Sequence, residues 1–524
     1  MWMQGGLSLR AVPTFSSKKM FVLVLSLLFL VAVAVLSSLL LAGGREARTN
    51  PAIRKLPPGP AKLPIIGNLH QIRGNLLHQS LWEFSKQYGP LMHLKLGQVS
   101  AIVVSSATLA RDVLKTFDLA CCSRPHNVAT SELSYGSSDI AFMPYGERWS
   151  QQRKLCTVEF FSARKINSFK SVREDEIVRM TKHISSRISG SLTVNVSELA
   201  LYFSCNTTCR MAFGRDIAGD DFNVYDVLRE AQEMLASFFM ADYFPLLGWV
   251  DVATGKKSRL RKSFLKLDGI YQKFIDRHLD AKTSRSGSEE NEDLLDVLLR
   301  LRKDEQLTEN NLKGVLMNIF IGGTDSSSAV VEWAMAELIR QPELMKRAQE
   351  EVRSCVGRSK GKVEESDLQQ LQYLKRIVKE TMRLHPPFPL LVNREIIHPV
   401  TLSDGCQIPP KTTIYVNAWA IGRDPDVWER PEAFDPDRFV NIGSPVVDSF
   451  SHYDFKLIPF GEGRRTCPGK NLGMLMAEVA LANLLYSFDW QLPPGMSEED
   501  VNMEEALGLT VRRKHALCLV AAKF

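Results

Sequence analysis

The stretch Phe460-Gly-Glu-Gly-Arg-Arg-Thr-Cys-Pro-Gly469 sets one cysteine among three glycines and two arginines. Glycine is used where another group must come close to the main chain. A neighbouring arginine favours the thiolate form of cysteine, which is the form that binds metals. A lone cysteine in a long chain is more often a small buried residue, so these residues leave Cys467 open between a metal ligand and a packing residue.

The overall composition favours one large domain. The chain has 524 residues, with no internal repeat and no linker long enough to separate two cores. Its net charge of +6 is spread among nearly as many acids as bases, which argues against a nucleic-acid-binding protein. The nine cysteines have no zinc spacing, so we predict free thiols in a reducing compartment.

The amino-terminal end carries a candidate membrane anchor. Residues 21–42 are uncharged and apolar, and they are long enough to span a bilayer as a helix. A cleaved signal peptide is the alternative, but its apolar core is usually shorter. We therefore predict a short tail over 1–20, a transmembrane anchor over 21–42, a basic and proline-rich hinge over 43–64, and one large domain over 65–524. The basic residues after the apolar segment favour a cytosolic body, while the acid-free tail keeps a plastid transit peptide as an alternative.

The hydrophobic pattern predicts a mainly α-helical fold with small β-sheets. Residues 92–104 alternate and are rich in β-branched side chains, which is typical of a small sheet. Residues 147–385 mostly show the periodicity of helices, and strands are predicted again in 506–524. A helical body with peripheral sheets follows.

One long helix is predicted between Thr308, its amino-terminal cap, and Pro342, before which it ends. Its centre reads Gly322-Gly-Thr-Asp-Ser-Ser-Ser328, although each glycine in a helix costs about 1 kcal/mol relative to alanine. Two explanations remain open. The run lets a flat ligand or a small gas molecule approach the backbone, with Asp325 and Ser326 able to pass protons, or it lets a neighbouring helix cross closely.

A second helical pattern places Glu380 and Arg383 on one face, three residues apart. Apolar residues surround the pair, which predicts burial, and a buried ion pair needs further hydrogen-bond partners. Arg438, in Phe434-Asp-Pro-Asp-Arg-Phe439, is the candidate for the third member.

Together these stretches resemble the membrane-anchored cytochrome P450 enzymes, and within them the plant A-type group. The resemblance covers nearly the whole chain after the apolar segment. The matching motifs are the proline-rich hinge, Trp149 with Arg153, the segment from Gly322 to Ser327, Glu380 with Arg383, the segment from Phe434 to Phe439, and the loop with Phe460, Gly463, Arg465, Cys467 and Gly469. Two positions depart from the family pattern, because Asp437 stands where glutamate is usual and Ser326 where threonine is usual.

The resemblance implies a single cytochrome P450 fold in which residues 65–524 form a haem-thiolate catalytic domain. It makes Cys467 the axial thiolate ligand of the iron in haem b. The other residues that it assigns to haem binding are Phe460, Gly463, Gly469, Arg465, Trp149, Arg153 and Arg394. Of these, the arginines and the tryptophan are expected to reach the haem carboxylates. Glu380, Arg383 and Arg438 are expected to lock the fold beneath the haem.

The implied activity is the oxidation of a small hydrophobic plant specialised metabolite with O2. The residues expected to deliver protons are Asp325, Ser326 and Thr324. The expected substrate is a terpenoid, with a phenylpropanoid or an amino-acid-derived aldoxime as alternatives. The candidate pocket residues are Gly322, Gly323, Phe388, Leu390, Leu391, Leu507 and Leu509. A haem-thiolate isomerase or dehydratase that needs no reductase, and a non-catalytic haem binder or scaffold, are the rival interpretations. The retained acid and hydroxyl argue against both.

The chain shows no nicotinamide or flavin fingerprint, so its electrons must come from a partner. The resemblance implies the NADPH–cytochrome P450 reductase of the endoplasmic reticulum. We expect this reductase to dock on a basic patch made of Lys154, Lys456, Arg464 and Lys470. The predicted localisation is therefore the endoplasmic reticulum membrane, single-pass with a cytosolic catalytic domain, and a plastid membrane is the alternative.

Overall fold

The structure, a computed structural model, describes residues 56–72, 76–190, 193–214, 224–282, 292–304, 306–440 and 453–524. The predicted tail and transmembrane anchor lie outside the described residues, as does the predicted hinge up to residue 55. The described part belongs to one folded unit, Leu56–Phe524.

Helices dominate this unit. They are α1 (Leu77–Tyr88), α2 (Ala107–Arg111), α3 (Asp118–Cys121), α4 (Val128–Leu133), α5 (Glu147–Phe161), α6 (Ala163–Ser168), α7 (Lys170–Ser189), α8 (Val196–Phe213), α9 (Val224–Leu235), α10 (Met240–Tyr243), α11 (Trp249–Ala253), α12 (Lys256–Lys282), α13 (Leu294–Lys303), α14 (Glu309–Arg340), α15 (Pro342–Val356), α16 (Gln372–Leu384), α17 (Ala418–Ile421) and α18 (Lys470–Ser487). A π-helical segment, Asp112–Thr116, continues α2. Single 3-10 turns lie at Leu69–Gln71, Pro245–Leu247, Asp367–Gln369, Pro436–Phe439, Gly463–Arg465 and Glu498–Asp500.

Short strands form three small sheets at the periphery of the described part. They are β1 (Leu91–Leu96), β2 (Val99–Val104), β3 (Val194–Asn195), β4 (Arg394–Glu395), β5 (Val400–Thr401), β6 (Gln407–Ile408), β7 (Thr413–Val416), β8 (Phe488–Gln491) and β9 (Cys518–Lys523). Their orders are β1-β2-β7-β4, β3-β9-β8 and β5-β6. The mainly α fold with small sheets is thus confirmed.

The sheet predicted over residues 92–104 is the antiparallel hairpin β1–β2, paired from Leu91 with Val104 to Leu96 with Val99. Gly97 turns the chain with φ +56°, and a Cβ there would lie 2.6 Å from the Tyr243 carbonyl oxygen. Glycine is therefore required by both the turn and the close approach. At the carboxyl end, regular strand is confined to β9, with an isolated bridge between Glu505 and Arg513.

Helix α14 runs through the centre of the fold. Its cap is the predicted one, because the Thr308 hydroxyl oxygen accepts the Asn311 N–H at 3.2 Å and the Asn311 side chain returns to the Thr308 N–H. The helix ends at Arg340, just before Pro342, and it continues through Gly322–Ser328 without a break. This long helix packs against α8, α16 and α18. The poor helix formers at its centre are therefore held by tertiary packing, which outweighs their low propensity.

The predicted Glu380–Arg383–Arg438 cluster is present under α14. Glu380 and Arg383 are fully buried and form two parallel hydrogen bonds of 2.7 and 2.8 Å. Arg438 Nε donates to the same Glu380 carboxylate at 2.9 Å, and the Asp435 N–H adds a further bond at 2.8 Å. Asp437, which departs from the family pattern, lies outside this cluster and pairs with Arg347 at 2.6 Å.

Within the described ranges, no single helix combines the length and the hydrophobicity of a membrane span. One bent pair of segments, Val224–Tyr243 and Pro245–Ala253, meets both criteria when taken together.

Candidate active site

The loop that carries Cys467 is folded around its own backbone. The Cys467 N–H donates to the Phe460 carbonyl at 2.9 Å, across the 3-10 turn Gly463–Arg465. Gly463 has φ +74°, and a Cβ there would lie 2.1 Å from the Leu114 carbonyl oxygen. Both its positive φ and the packing of the loop against Leu114 therefore require a glycine here.

Cys467 lines a mostly apolar cavity of about 290 Å³, together with Phe460 and Gly469 of the same loop. Burial raises the pKa of the Cys467 thiol, while the Gly469 N–H and the Arg153 guanidinium act to lower it. The hydrogen bond and the positive charge both favour the thiolate over the thiol, which is what a cation bound to the sulfur requires.

Four arginines, Arg124, Arg153, Arg394 and Arg465, line the cavity near the cysteine. Arg124 and Arg465 are buried and donate to main-chain carbonyls. The carbonyl partners are Cys122, Ile140 and Met143 for Arg465, at 2.8, 3.4 and 2.7 Å, and Ala141, Val392 and Asn393 for Arg124, at 2.8, 2.6 and 2.7 Å. Burial lowers the pKa of Arg465 to about 10 and also lowers that of Arg124, because neutral carbonyls do not compensate a buried charge.

The other two arginines have different partners. Arg394 pairs with Asp118 at 2.7 Å, and Arg153 donates to the Thr466 carbonyl. In the described part of the chain, Asp118 is the one carboxylate hydrogen-bonded to any member of the cluster. The four arginines therefore hold surplus positive charge beside the cavity, which suits a ligand with two carboxylates.

Arg124 is a cavity residue that sequence reasoning missed. It lies in Cys121-Cys-Ser-Arg-Pro125, where neither periodicity nor charge pattern distinguishes it from a surface arginine. Burial of a guanidinium without an acidic partner is visible only in the folded chain.

Trp149 differs from its predicted role. Its Nε1–H donates to the Ile140 carbonyl at 3.0 Å, and its ring lies 4.0 Å from the Arg465 guanidinium. Trp149 is not among the residues that line the cavity. The indole therefore supports Arg465 by cation–π stacking, and its N–H is already used.

Gly322 and Gly323, at the centre of α14, have different surroundings. A Cβ on Gly322 would meet no atom within 4 Å, and this residue lines the cavity. A Cβ on Gly323 would lie 3.1 Å from Thr208 Oγ1 on α8. Both glycines line the cavity, and Gly323 also lies where α14 crosses α8.

Ser326 is the residue of the predicted proton-delivery group that faces the cavity. Its Oγ donates to the Gly322 carbonyl at 2.8 Å. Asp325 is buried and ion-paired with Arg512, a partner that lies far away in the sequence and that our sequence reasoning missed. Thr324 is fully buried, and neither it nor Asp325 lines the cavity. Of the three predicted proton-delivery residues, the structure therefore brings only Ser326 to the cavity.

The predicted pocket residues also divide. Phe388, Leu391 and Leu509 line the cavity. Leu390 packs instead against the cluster around Tyr415, and Leu507 is 48% exposed at the surface. Side chains of adjacent residues in irregular segments point in different directions, so nearness in sequence to a lining residue did not place these two leucines correctly.

The predicted basic patch lies at the surface. Lys154, Lys456, Arg464 and Lys470 are all exposed. Arg464 also lies 3.4 Å from Asp118, the acid that pairs with an arginine of the cavity. Two members of the patch flank Cys467 in the sequence: Arg464 lies in its loop, and Lys470 begins α18.

The cavity fits the haem that the resemblance implies. Cys467 contributes the one thiol among the described lining residues, and no imidazole competes with it. Gly322 leaves open space on the helix side, and the arginine cluster supplies the charge that two haem carboxylates require.

Comparisons with known proteins agree with this geometry. A family profile described as Cytochrome P450 matches residues 57–519. A cytochrome P450 71A1 of Persea americana is 48% identical, over 87% of this chain and 91% of that relative. A strychnine-11-hydroxylase of Strychnos nux-vomica is 45% identical, over 96% of this chain and 97% of that relative. A zebra fish cytochrome P450 solved with progesterone shares the fold, with a TM-score of 0.72 at 24% identity, over 86% of this chain and 100% of that one. This chain is therefore a member of the cytochrome P450 family.

Proposed function

We propose that this cytochrome P450 monooxygenase oxidises a small, neutral, hydrophobic plant specialised metabolite, with terpenoids as the first substrate class. The observation that carries the proposal is the lining of the cavity. Apart from the arginine cluster, its described side chains are uncharged and mostly apolar, with Phe142, Ile321 and Leu509 among them. A cavity without a carboxylate favours neutral ligands and disfavours cations.

The residues have separate tasks. Haem b, held by the Cys467 thiolate, supplies the activation of O2. The arginine cluster neutralises the haem carboxylates, and the apolar lining excludes water from the substrate. Ser326 Oγ holds a proton in the open space beside Gly322 and passes it on. Asp325, the residue before it, is held by Arg512 and does not line the cavity.

Replacing Ser326 by alanine should separate NADPH consumption from product formation. The hydroxyl is the group of the predicted proton path that faces the cavity, so we expect the fraction of electrons reaching product to fall at least about tenfold. The measurement is product and hydrogen peroxide formed per NADPH consumed. Ser328→Ala is the matched control, because its hydroxyl bonds to the Asp325 carbonyl and does not line the cavity. Unchanged coupling in Ser326→Ala would remove this serine from the proton path.

A substrate panel tests the proposed function. Membranes containing the full chain are supplied with terpenes, phenylpropanoids, aldoximes and strychnine, the last because a relative is named for it. We expect products one oxygen heavier from the terpenes. Conversion confined to another class would contradict the terpenoid proposal and would identify the class.

The same panel tests the electron source, which we propose to be an NADPH–cytochrome P450 reductase that docks on the basic patch. The exposure of all four basic side chains supports this partner, because an acidic docking face needs accessible cations. We expect no product when either NADPH or the reductase is omitted. Turnover without both would instead favour a reductase-independent isomerase or dehydratase.

We propose that the described body also rests on the bilayer of the endoplasmic reticulum, with a plastid membrane as the alternative. Two exposed apolar segments, 63–66 and 245–252, lie near the β1–β2 turn. The Gly97 N–H donates to the Ile66 carbonyl of the first segment, and the Gln98 N–H donates to the carbonyl of Tyr243, two residues before the second segment. Within them, Leu246 is 86% and Trp249 65% exposed, which is unusual for large apolar side chains that lie close together.

A photoreactive amino acid placed at position 246 of the full-length, membrane-bound protein should crosslink to lipid. The control position is Leu265 on α12, which is 52% exposed but lies outside these segments. We expect lipid capture at position 246 and little at 265. Equal capture at both positions would contradict the proposed orientation.

A further inference from the structure

The loop formed by residues 139–143 connects two parts of the site. Its carbonyl groups accept hydrogen bonds from Trp149 and from two members of the arginine cluster, Arg124 and Arg465. The bonds are from Trp149 and Arg465 to Ile140, from Arg124 to Ala141 at 2.8 Å, and from Arg465 to Met143 at 2.7 Å. The direction of each guanidinium group therefore depends on how the peptide groups of this loop are turned.

The N–H groups of the same loop are held by one residue of α14. Asn318 Oδ1 accepts the N–H of Ile140 at 3.0 Å and that of Ala141 at 3.3 Å. Asn318 Nδ2 donates to the Asp139 carboxylate at 2.8 Å. Asp139 is fully buried and in turn accepts the Phe142 N–H at 3.0 Å. Every polar atom of the Asn318 amide is thus engaged with the loop.

Asn318 also lies on the face of α14 that turns toward the cavity. It precedes Gly322 by four residues and Ser326 by eight, so the three residues follow one another along one face of the helix, about one turn apart. All three line the cavity. The loop adds Ile140 and Phe142 to the same lining.

We propose that Asn318, acting with Asp139, is a positioning residue that fixes the 139–143 loop, and through it both the direction of Arg124 and Arg465 and the substrate wall made by Ile140 and Phe142. The inference rests on the haem assignment and is independent of which substrate is oxidised. One amide thereby links the helix that handles oxygen to the arginines that hold the haem carboxylates.

The chemistry of the link requires an amide. Asparagine presents an acceptor to two main-chain N–H groups and a donor to a carboxylate. Aspartate has the same shape, but it places a second negative charge beside buried Asp139 and loses the donor. Leucine has a similar size but neither donor nor acceptor, so it leaves the Ile140 N–H without its partner and the Asp139 carboxylate without the amide donor. The Ala141 N–H keeps its other bond, to the Asp139 carboxylate at 3.0 Å.

The test compares Asn318→Asp and Asn318→Leu with Asn310→Leu, an exposed position on the same helix. Two properties of the full-length haem-loaded protein are measured: hydrogen–deuterium exchange of the segment 138–143, and the rate of haem loss to an apomyoglobin acceptor. We expect hydrogen–deuterium exchange and haem loss to be about tenfold faster in both Asn318 variants. This factor corresponds to the loss of roughly one hydrogen bond that involves a charged group. Asn310→Leu should leave both rates unchanged.

The substrate-induced absorbance change adds a third readout, and it should weaken in both Asn318 variants. If Asn318→Asp behaves like the wild type, then size alone matters and the proposal fails. It fails equally if the loop exchanges faster but haem loss stays at the wild-type rate, because the loop would then not orient the arginines. Should Asn318→Leu not fold, Asn318→Asp alone decides between these outcomes. If haem loss is not faster in the Asn318 variants, the result of the substrate panel is unaffected. The role of Asn318 and the proposed function can therefore fail separately.

Discussion

Cys467→Ala is expected to yield a folded chain that retains little haem and forms no product. The reason is that Cys467 is the one thiol among the described residues of the cavity, and no imidazole is present there to replace it. Haem content per chain, product formation and thermal unfolding are measured on the same preparation. A folded protein without haem is the predicted combination.

Cys156→Ala is the matched control for this variant. Cys156 is buried near Arg153, and burial raises the pKa of its thiol to about 12, so it remains protonated and inert. It should keep its haem and its activity. If Cys467→Ala bound haem as well as Cys156→Ala does, with an unchanged spectrum, Cys467 would not be the ligand.

Glu380→Gln is expected to lower the free energy of unfolding more than any other substitution proposed for this protein. The wild-type carboxylate accepts hydrogen bonds from Arg383, Arg438 and the Asp435 N–H. Glu380 and Arg383, the closest pair, are both fully buried. Glutamine keeps the shape but removes the charge, which leaves two guanidinium groups without a counter-ion. Breaking a buried pair in this way costs about 3–5 kcal/mol, which denaturant unfolding of the full chain measures.

The exposed pair of Glu83 and Lys86, at 2.8 Å, provides the control. Glu83→Gln removes one carboxylate from a pair in water, so it should cost less than about 1 kcal/mol. A similar small loss for both variants would show that the buried cluster is not what holds this region together.

Sequence patterns predicted the helices and the ion pair that depend on residues close to one another in the chain. The helix from Thr308 to Arg340 follows from its cap, its apolar rows and the proline beyond it. The pairing of Glu380 with Arg383 follows from their spacing on one helix. In each case the sequence separation is short, so the geometry is set by the helix itself.

Contacts between distant parts of the chain were not accessible in the same way. Arg512 reaches Asp325 only because the carboxyl-terminal segment returns across α14. Arg124 reaches the cavity only because residues 139–143 and 392–393 offer it carbonyls. Neither position carries a signal in composition or periodicity, since a basic side chain is usually solvated.

Gly463 shows that a sequence motif can point to a residue for an incomplete reason. Its place in the loop motif suggested close approach of the main chain to the sulfur. The structure shows that a side chain there would collide with Leu114 and with the Asp118 carboxylate, so the glycine serves the docking of the loop on the helices before it. Alanine at this position is therefore excluded by packing whether or not haem is bound.

The chemistry of this protein depends on a cysteine thiolate, that of Cys467, as the ligand of the haem iron. The most direct measurement is the absorption spectrum of the full-length protein after reduction and exposure to carbon monoxide. We predict the long-wavelength band that distinguishes thiolate-bound from imidazole-bound haem. An imidazole-type spectrum, or a protein that stays colourless after haem is supplied, would contradict the account.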